Sequence, residues 1–329
     1  MAKVLILTDG KAGHENQSKA LARALGCEYE IVEVAFRSKF AKVLSYLFDR
    51  VGIRTQALWK FVPKVFDSTE PLPPLPEPFQ PSAVLGTGSG TFYAAKSLAK
   101  ACKAKCGVVL YPRGYDLASF DCVLAPAFDR PKTAPNVIEI PANLVAADEA
   151  FYEKGVAAFR ERHEPKGEAV AVIVGGPNKC STMTPEWMKA RLDEIFAART
   201  SDDPNTQTPK HPNTEFWVTT SRRTPPEVEA VVDSYPWDYK LLYSKDHFNP
   251  IPAFVKLAKK LYVTAESTGM LSESCTFGSA EVIALDNLNP GPHKFRRFVE
   301  DLRRDGYVDG NRKVDLSAQF ARAKELLGL

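Results

Sequence analysis

The chain has 329 residues, of which 44% are hydrophobic and 25% charged, the ordinary composition of globular proteins. At roughly 150 residues per domain, this length predicts two domains. With 43 basic against 40 acidic residues the net charge is only +3, which argues against a nucleic-acid-binding protein. No run approaches the ~20 apolar residues of a membrane span.

The first half of the chain alternates short apolar runs with helical segments. A strand is predicted at 3–7, a helix at 17–25 and a second strand at 29–34, the order that opens a βαβ unit. The order returns with a strand at 83–85 and a helix that runs to residue 103. This alternation predicts a parallel sheet of the Rossmann type.

The second half repeats the alternation after a helix predicted at 148–162. Its first strand lies in AVAVIVGG, 169–176, the strongest buried run of the chain. Helices are then predicted at 185–199, 225–234, 250–260 and 269–277, and strands at 215–221, 240–243, 261–265 and 281–285. We therefore predict an α/β fold of two Rossmann-like domains with mostly parallel sheets, residues 1–162 and 163–329. The last helix is a candidate for packing back on the first domain.

The loop TDGKAGHENQS, residues 8–18, joins the first strand to the first helix. Ligands of open α/β sheets bind beyond the carboxyl ends of the strands, where this loop lies. Gly10 and Gly13 allow close approach of the backbone, and His14 and Gln17 are expected at the helix start. His14 is suited to act as a general base or to contact an acceptor. The alternative is that the loop only turns the chain and His14 caps the helix.

The loop GTGSGT, residues 86–91, follows another predicted strand. Its glycines alternate, so it fails the GxGxxG pattern of dinucleotide-binding loops. The loop is therefore either a glycine-lined wall of the cleft or a simple turn.

The loop GGPNKCSTMT, residues 175–184, follows the strongest buried strand. Gly175, Gly176 and Asn178 allow the backbone to pass close to a ligand, although the loop lacks the GK[ST] of a Walker A motif. We interpret it as a loop that faces an anion, with a bare turn as the alternative.

The segment VTTSRRTP, residues 218–225, ends the next strand with Ser221, Arg222 and Arg223. Guanidinium groups are well suited to phosphate or pyrophosphate. Paired arginines are usually solvated surface charge, but their place at a strand's carboxyl end favours a ligand.

The most informative segment is YVTAESTGMLSESCTFGSAEVIAL, residues 262–285. A strand enters a turn, and a helix begins there, whose free N–H groups and positive dipole end form a candidate phosphate cradle. Glu273, one helical turn in, is placed to accept hydrogen bonds from sugar hydroxyls. The alternative is an ordinary capped helix with a surface glutamate. The turn residues are Glu266, Ser267, Thr268 and Gly269.

Four of these segments together resemble one family. DGKAGHENQ, VGGPNK, VTTSRRTP and VTAESTGMLSE are similar, in that order, to the signature segments of the family of the plant mitochondrial-fission factor Elongated Mitochondria, whose bacterial members are described as glycosyltransferases. The resemblance spans nearly the whole chain. It implies the GT-B architecture of two facing Rossmann-like domains, with the acceptor on the first and the nucleotide-sugar on the second.

The segment around Gly269 is also similar to the donor site of the lipid-linked GlcNAc transferase of peptidoglycan synthesis. By that resemblance, the turn from Ser267 to Met270 holds the diphosphate and Glu273 holds the ribose. Gly13-His14 matches a histidine that follows glycine in that enzyme's N-terminal loop. This chain has DGKAGH in place of that enzyme's GGTGGH and lacks its GGS loop.

One local feature fits a membrane surface. Between residues 35 and 66, seven basic residues accompany a single acid, Asp49, and they alternate with large apolar side chains. A basic amphipathic face of this kind binds anionic lipid. The alternative is that the apolar residues belong to the domain core and the charges are solvated.

These observations lead to one hypothesis with two alternatives. The chain is expected to be a metal-independent glycosyltransferase without a cofactor, cytoplasmic or peripheral at the inner membrane face. It would move a sugar from a nucleotide-diphosphate donor to an envelope glycolipid or similar acceptor. His14, or less favourably Asp9, would deprotonate the acceptor hydroxyl. The alternatives are a non-catalytic adaptor that keeps the fold, and a nucleotide-sugar epimerase or hydrolase.

Overall fold

The computed structural model describes residues 2–62, 80–200 and 214–329, without the side chains of residues 198–200. The chain divides into two compact units. The first comprises Met1–Ala146 and Asp315–Leu329, and the second comprises Ala147–Val314.

The division differs from the sequence-based boundary after residue 162. The helix Glu149–Arg160 belongs to the second unit, because it packs on the helix Ile251–Leu257. Residues Asp315–Leu329 belong to the first unit, since their helix contacts three of its strands.

The first unit contains a seven-stranded sheet in the order β3-β2-β1-β4-β5-β6-β7, parallel except for β3. The central strands β1, β4, β5 and β6 are almost wholly buried, as in doubly wound α/β folds. The elements are β1 Lys3–Thr8, α1 Ala12–Ala24, β2 Glu28–Phe36, α2 Lys39–Arg50, β3 Trp59–Phe61, β4 Ala83–Thr87, α3 Phe92–Cys102, β5 Lys105–Val109, β6 Cys122–Pro126, β7 Val137–Ile140 and α10 Ser317–Leu327.

The second unit contains a five-stranded parallel sheet in the order β10-β9-β8-β11-β12. The run that the sequence marked as most buried is its central strand. The elements are α4 Glu149–Arg160, β8 Ala169–Ile173, α5 Pro185–Thr200, β9 Glu215–Thr219, α6 Pro226–Asp233, β10 Tyr239–Leu241, α7 Ile251–Leu257, β11 Ala258–Thr264, α8 Thr268–Thr276, β12 Glu281–Leu285 and α9 Lys294–Arg304.

Each sheet has a switch point, where the chain changes the direction in which it adds strands. From β1 the chain adds β2 on one side and later returns to add β4 on the other; from β8 it adds β9 on one side and later β11 on the other. The loops after β1 and β4 are therefore neighbours, as are the loops after β8 and β11. Ligands of open α/β sheets bind at such points.

The structure differs from the sequence-based elements at the starts of α1 and β11, and it adds α2 and β3, which the sequence did not predict. α1 begins at Ala12, five residues before the predicted start at 17, and β11 begins at Ala258 inside the helix predicted at 250–260. The predicted α/β class with mostly parallel sheets is confirmed. Within the described parts of the chain, every helix falls short of the length and hydropathy that crossing a bilayer requires.

Candidate functional site

The switch point of the first unit carries a carboxylate–imidazole pair. Asp9 follows β1, and His14 lies in the first turn of α1, so one short loop supplies both side chains. Nδ1 of His14 lies 2.9 Å from Oδ1 of Asp9, and Nζ of Lys11 lies 2.5 Å from Oδ2. Asp9 therefore binds the imidazole through one oxygen and an ammonium through the other.

This pair has a defined protonation pattern. Burial raises the pKa of Asp9, but the hydrogen bonds from His14 and Lys11 outweigh burial and lower this pKa to about 2. Asp9 is therefore ionised at neutral pH and accepts a hydrogen bond from Nδ1 of His14. In the neutral imidazole this leaves the lone pair on Nε2, the nitrogen that a general base uses.

The GTGSGT loop supports this pair. A Cβ on Gly88, whose φ is +82°, would lie 2.3 Å from Cε1 of His14, and a Cβ on Gly90 would lie 2.8 Å from Cβ of Asp9. Both positions thus require glycine for space, and Gly88 also for its backbone conformation. Sequence reasoning left this loop as either a cleft wall or a turn and did not connect it to the two side chains.

The other residues predicted in this loop differ in their surroundings. Gly10 has a φ of +77°, and a Cβ there would lie 2.9 Å from Oε1 of Glu33. Gly13 is exposed with open space beside it. Gln17 lies in the second turn of α1, and its buried Oε1 has no hydrogen-bond partner among the described residues.

The switch point of the second unit contains a tightly packed glycine turn. Gly175 and Gly176 follow β8 and are both buried. A Cβ on Gly175 would lie 2.2 Å from Oε1 of Glu266, and one on Gly176 would lie 2.2 Å from the backbone oxygen of Arg223. The backbone N–H of Gly175 donates to Oγ1 of Thr264 at 2.8 Å. Because Gly175 and Gly176 have no side chains, the loops that follow β8, β9 and β11 can pack against one another.

Glu266 links these loops from inside. Its side chain is 2% exposed, and it accepts hydrogen bonds from Oγ1 of Thr264 at 3.0 Å and from Nδ2 of Asn287 at 2.8 Å. Burial raises the pKa of this carboxyl. Asn287, which sequence reasoning missed, is 5% exposed, and its Oδ1 has no partner among the described residues.

The helix start after β11 is open. Ser267 occupies the N-cap position of α8, but its side chain makes no capping hydrogen bond. Gly269 is exposed, and a Cβ there would meet no atom within 4 Å. Thr268 and Met270 are partly exposed. Because the N-cap side chain accepts no hydrogen bond from the N–H groups of this first turn, those groups are available to bind an anion.

The remaining residues predicted near this turn are only partly brought together. Arg223 lies beside Gly176 and acts electrostatically on Glu266, lowering that carboxyl's pKa against the larger effect of burial. Arg222 is exposed and has no hydrogen bond or ion pair with another described residue. Oδ1 of Asn178 accepts from the backbone of Cys180 at 2.8 Å, so its side chain stabilises its own turn.

Ser221 closes the turn that contains the arginines. Its backbone N–H donates to Oγ1 of Thr224 at 2.9 Å, and that hydroxyl in turn donates to the backbone oxygen of Gly175 at 2.6 Å. Ser221 therefore helps to join the turn after β9 to the glycine turn after β8.

Glu273 is already engaged within the second unit. Its Oε1 accepts a 2.9 Å hydrogen bond from the hydroxyl of Tyr152 on α4, and burial raises the pKa of Glu273. The ring of Tyr152 packs on Phe277 with centroids 4.5 Å apart. No sequence signal pointed to Tyr152, because nothing local links α4 to α8.

A family model described as mitochondrial fission ELM1 matches residues 12–322. The chain belongs to this family. The resemblance inferred from the four sequence segments is thereby confirmed. No curated protein matches this ELM1-family chain.

Solved structures resemble the ELM1-family chain at low identity. A Listeria monocytogenes protein, provisionally described as a UDP-N-acetylglucosamine 2-epimerase, has a TM-score of 0.51 at 11% identity, over 99% of this chain and 88% of its own. A Neisseria meningitidis UDP-GlcNAc 2-epimerase gives 0.49 at 12%, over 100% and 98%. A Rickettsia africae glycosyltransferase gives 0.44 at 11%, over 99% and 88%. The Listeria match supports a GT-B fold and nothing further.

Proposed function

We propose that this ELM1-family protein is a glycosyltransferase that takes a sugar from a nucleotide-diphosphate donor. The observation that carries the proposal is the uncapped start of α8 at the switch point of the second unit. The acceptor we propose is an envelope glycolipid or a similar hydroxyl-bearing molecule.

The donor diphosphate would bind at the first turn of α8. The N–H groups there and the positive end of the helix dipole favour negative charge, and Gly269 leaves space for it. Arg223 adds a guanidinium at the neighbouring turn. When the bond between the sugar and the diphosphate breaks, negative charge grows on the departing oxygen, and fixed donors stabilise it. Glu266 would hold the glycine turn in place without touching the donor.

Glu273 would contact the ribose through its second carboxylate oxygen. Among the described residues that oxygen has no hydrogen-bond partner, while Oε1 is held by Tyr152. Tyr152 therefore fixes the orientation of the carboxylate. A ribose hydroxyl would donate to Oε2.

The acceptor would be activated in the first unit by His14. Asp9 holds Nδ1, and Nε2 takes the proton of the acceptor hydroxyl as its oxygen bonds to the anomeric carbon of the sugar. The nucleoside diphosphate leaves with the electron pair of the broken bond. Asp9, with a pKa of about 2, is a weak base and acts by orienting the imidazole.

We also propose a peripheral membrane contact through the basic amphipathic segment 35–66, of which residues 63–66 lie outside the described part. Phe40, Val43 and Leu47 on α2 are exposed, whereas Phe36, Leu44 and Phe48 pack against the core. The segment thus contributes both to the core and to the surface. A glycolipid acceptor would be presented at such a surface.

The decisive experiment is a thermal-shift and calorimetry panel of nucleoside diphosphates. A ligand at a hundred times its Kd stabilises the native state by about 2.7 kcal/mol. We expect one nucleoside diphosphate to do so and Arg223→Gln to weaken its binding by roughly tenfold, the value of one lost charge-assisted hydrogen bond. Arg222→Gln is the matched control and should bind normally.

Two outcomes separate the alternatives. An adaptor with a decayed site would show no stabilisation by any nucleoside diphosphate, and that result would remove the donor site and the proposal with it. An epimerase or hydrolase would bind the same nucleotide but would convert the nucleotide-sugar without any acceptor. Product analysis with and without acceptor distinguishes these enzymes from a transferase.

A further inference from the structure

The first unit contains a second candidate site beside α2. A cavity of about 530 Å³ lies between this helix and the loop that follows β5. Arg50 from α2, Arg113 from the loop and Lys132 from the segment after β6 line it, together with Tyr111. Three cations thus converge on one cavity that the proposed transfer reaction does not use.

The wall of this cavity is fixed to α2. Gly114, with a φ of +86°, packs against the ring of Tyr46, where a Cβ would lie 3.0 Å from the ring. Tyr115 packs against the same ring at a tilt of 31°, with centroids 4.5 Å apart. The backbone N–H of Asp116 donates to the buried carboxylate of Asp49 at 2.7 Å. The loop is therefore held in one position before any ligand arrives.

Only one of the three cations that line the cavity, Arg113, has a carboxylate of the described residues within ion-pair distance. Among the described residues, Arg50 and the side chain of Lys132 have no carboxylate partner. Arg113 donates to the backbone oxygen of Asp129 and lies 3.7 Å from that residue's carboxylate. The one carboxylate that lines the cavity, Asp116, accepts from the backbone of Ala118. The cavity thus has a net positive lining that suits an anion.

An exposed apolar stripe runs beside the cavity. Nearly all exposed large apolar side chains of the described residues lie in or directly after α2: Phe40, Val43, Leu47, Val51 and Ile53. Phe40 is 69% exposed and Val43 64%. Arg50 lies one turn after Leu47 on the same exposed face, so it borders the stripe and lines the cavity. Such exposure of contiguous apolar side chains marks an interaction surface.

We propose that the cavity binds the phosphate group of an anionic membrane lipid while Phe40, Val43 and Leu47 enter the interfacial layer of the bilayer. The inference rests on the proposed membrane contact and adds to it a phosphate site in which Arg113 and Lys132, both outside residues 35–66, join Arg50 of α2. The position of the apolar stripe next to the cavity favours a lipid head group over a soluble phosphate. A cavity for a soluble phosphate gains nothing from an apolar stripe at its rim, whereas a lipid offers an anionic head group directly above acyl chains.

The test is sedimentation with vesicles of neutral phosphatidylcholine, alone or mixed with phosphatidic acid. Each Lys or Arg near an anionic lipid surface strengthens the binding of a protein to vesicles by about fivefold. We therefore expect R50Q/R113Q to reduce binding to the mixed vesicles by roughly 25-fold. The matched control is K100Q/K103Q, which removes two exposed charges at the C-terminal end of α3, next to the amino end of β5 rather than its carboxyl end, and should change binding much less.

Two further measurements keep the proposal open to refutation. F40A/L47A should reduce binding to both kinds of vesicle, since it removes apolar contact rather than charge. Equal losses for R50Q/R113Q and K100Q/K103Q would overturn the phosphate site, as would stabilisation by free inorganic phosphate without vesicle binding. Melting temperatures and nucleotide binding of each variant report on folding and on the donor site separately, so a failure here leaves the transferase proposal intact.

Discussion

The two switch points of this molecule occupy the same place in their sheets but hold their carboxyl groups in opposite ways. Asp9, after β1, is ionised and turned toward an imidazole and an ammonium. Glu266, after β11, is buried and accepts from a hydroxyl and an amide. Accordingly, the pKa of Asp9 is lowered to about 2, while that of Glu266 is raised, chiefly by burial.

This difference shows that topology fixes where a ligand can approach, but not which chemistry is available there. In the first unit the loop after β1 holds the titratable pair, and the glycines after β4 make space for it. In the second unit the carboxyl group supports a glycine turn, and backbone N–H groups of α8 face outward. One site is suited to moving a proton, the other to binding an anion.

The largest expected effect comes from His14→Ala. Without the imidazole base, turnover with the donor selected by the nucleotide panel should fall by roughly 10²–10⁴-fold. Nucleotide affinity, measured by calorimetry, should not change, because the proposed diphosphate site belongs to the second unit.

The control for this variant is His247→Ala, which removes an exposed histidine of the second unit. It should turn over as the wild type does. Unchanged turnover in His14→Ala would remove this residue from the mechanism and leave the first switch point without a catalytic role.

The next effect separates two glycines of the second unit. Gly175→Ala would bring a Cβ to 2.2 Å from Glu266, so we expect the free energy of unfolding to fall by about 1–3 kcal/mol. Gly269→Ala meets no atom within 4 Å and should instead gain about 0.4–1 kcal/mol. Urea denaturation at neutral pH measures both. Equal stability of the two variants would refute the close packing of the glycine turn.

A smaller effect tests Asp9 through acid stability. The folded pKa of about 2 lies below the ordinary aspartate value of 3.8, so this carboxylate stabilises the fold above pH 4, and that stabilisation is lost as the pH falls through 2. With solvent screening, its size is about 1 kcal/mol. In urea titrations between pH 5 and pH 2.5, Asp9→Asn should lack this loss. A wild-type curve in the variant would contradict the pairing with His14.

The smallest expected effect is a change of folding stability with pH that runs in the opposite direction and comes from Glu266. Because its folded pKa is raised above 4.5, the folded state binds its proton more tightly, and stability falls as the pH rises from 4.5 through the folded pKa. Glu266→Gln should remove this fall, and Asn287 has an unpartnered oxygen to receive the new amide N–H. A variant that keeps the same slope would show that another group titrates there.

Much of the framework follows from local sequence. Continuous apolar runs such as 169–173 became central strands, because parallel strands buried on both faces need apolar side chains at every position. The loops expected at the strand ends lie where the sheet order brings them together. α1 begins earlier than predicted. The polar residues around His14 lack the helical spacing of apolar side chains from which a helix start is recognised in a sequence.

The contacts inside the candidate sites were beyond local reasoning. Gly88 meets His14 across 74 positions of sequence, and Tyr152 meets Glu273 across 121. Such pairings depend on how distant segments pack, which composition and spacing do not encode. The helix α2 and the edge strand β3 were not predicted as elements: residues 35–66 were interpreted only as a basic amphipathic face or as part of the core, because alternating basic and apolar residues fit both.

The return of α10 to the first unit has a consequence for how the molecule is made. Leu327 packs beneath Gly107 of β5, where a Cβ would lie 3.2 Å from its side chain, so the last turn of α10 covers a strand synthesised more than two hundred residues earlier. The second unit is continuous in sequence and is released from the ribosome whole. The first unit therefore waits, with this strand uncovered, until α10 has been synthesised, so the nascent chain can complete its second unit before its first.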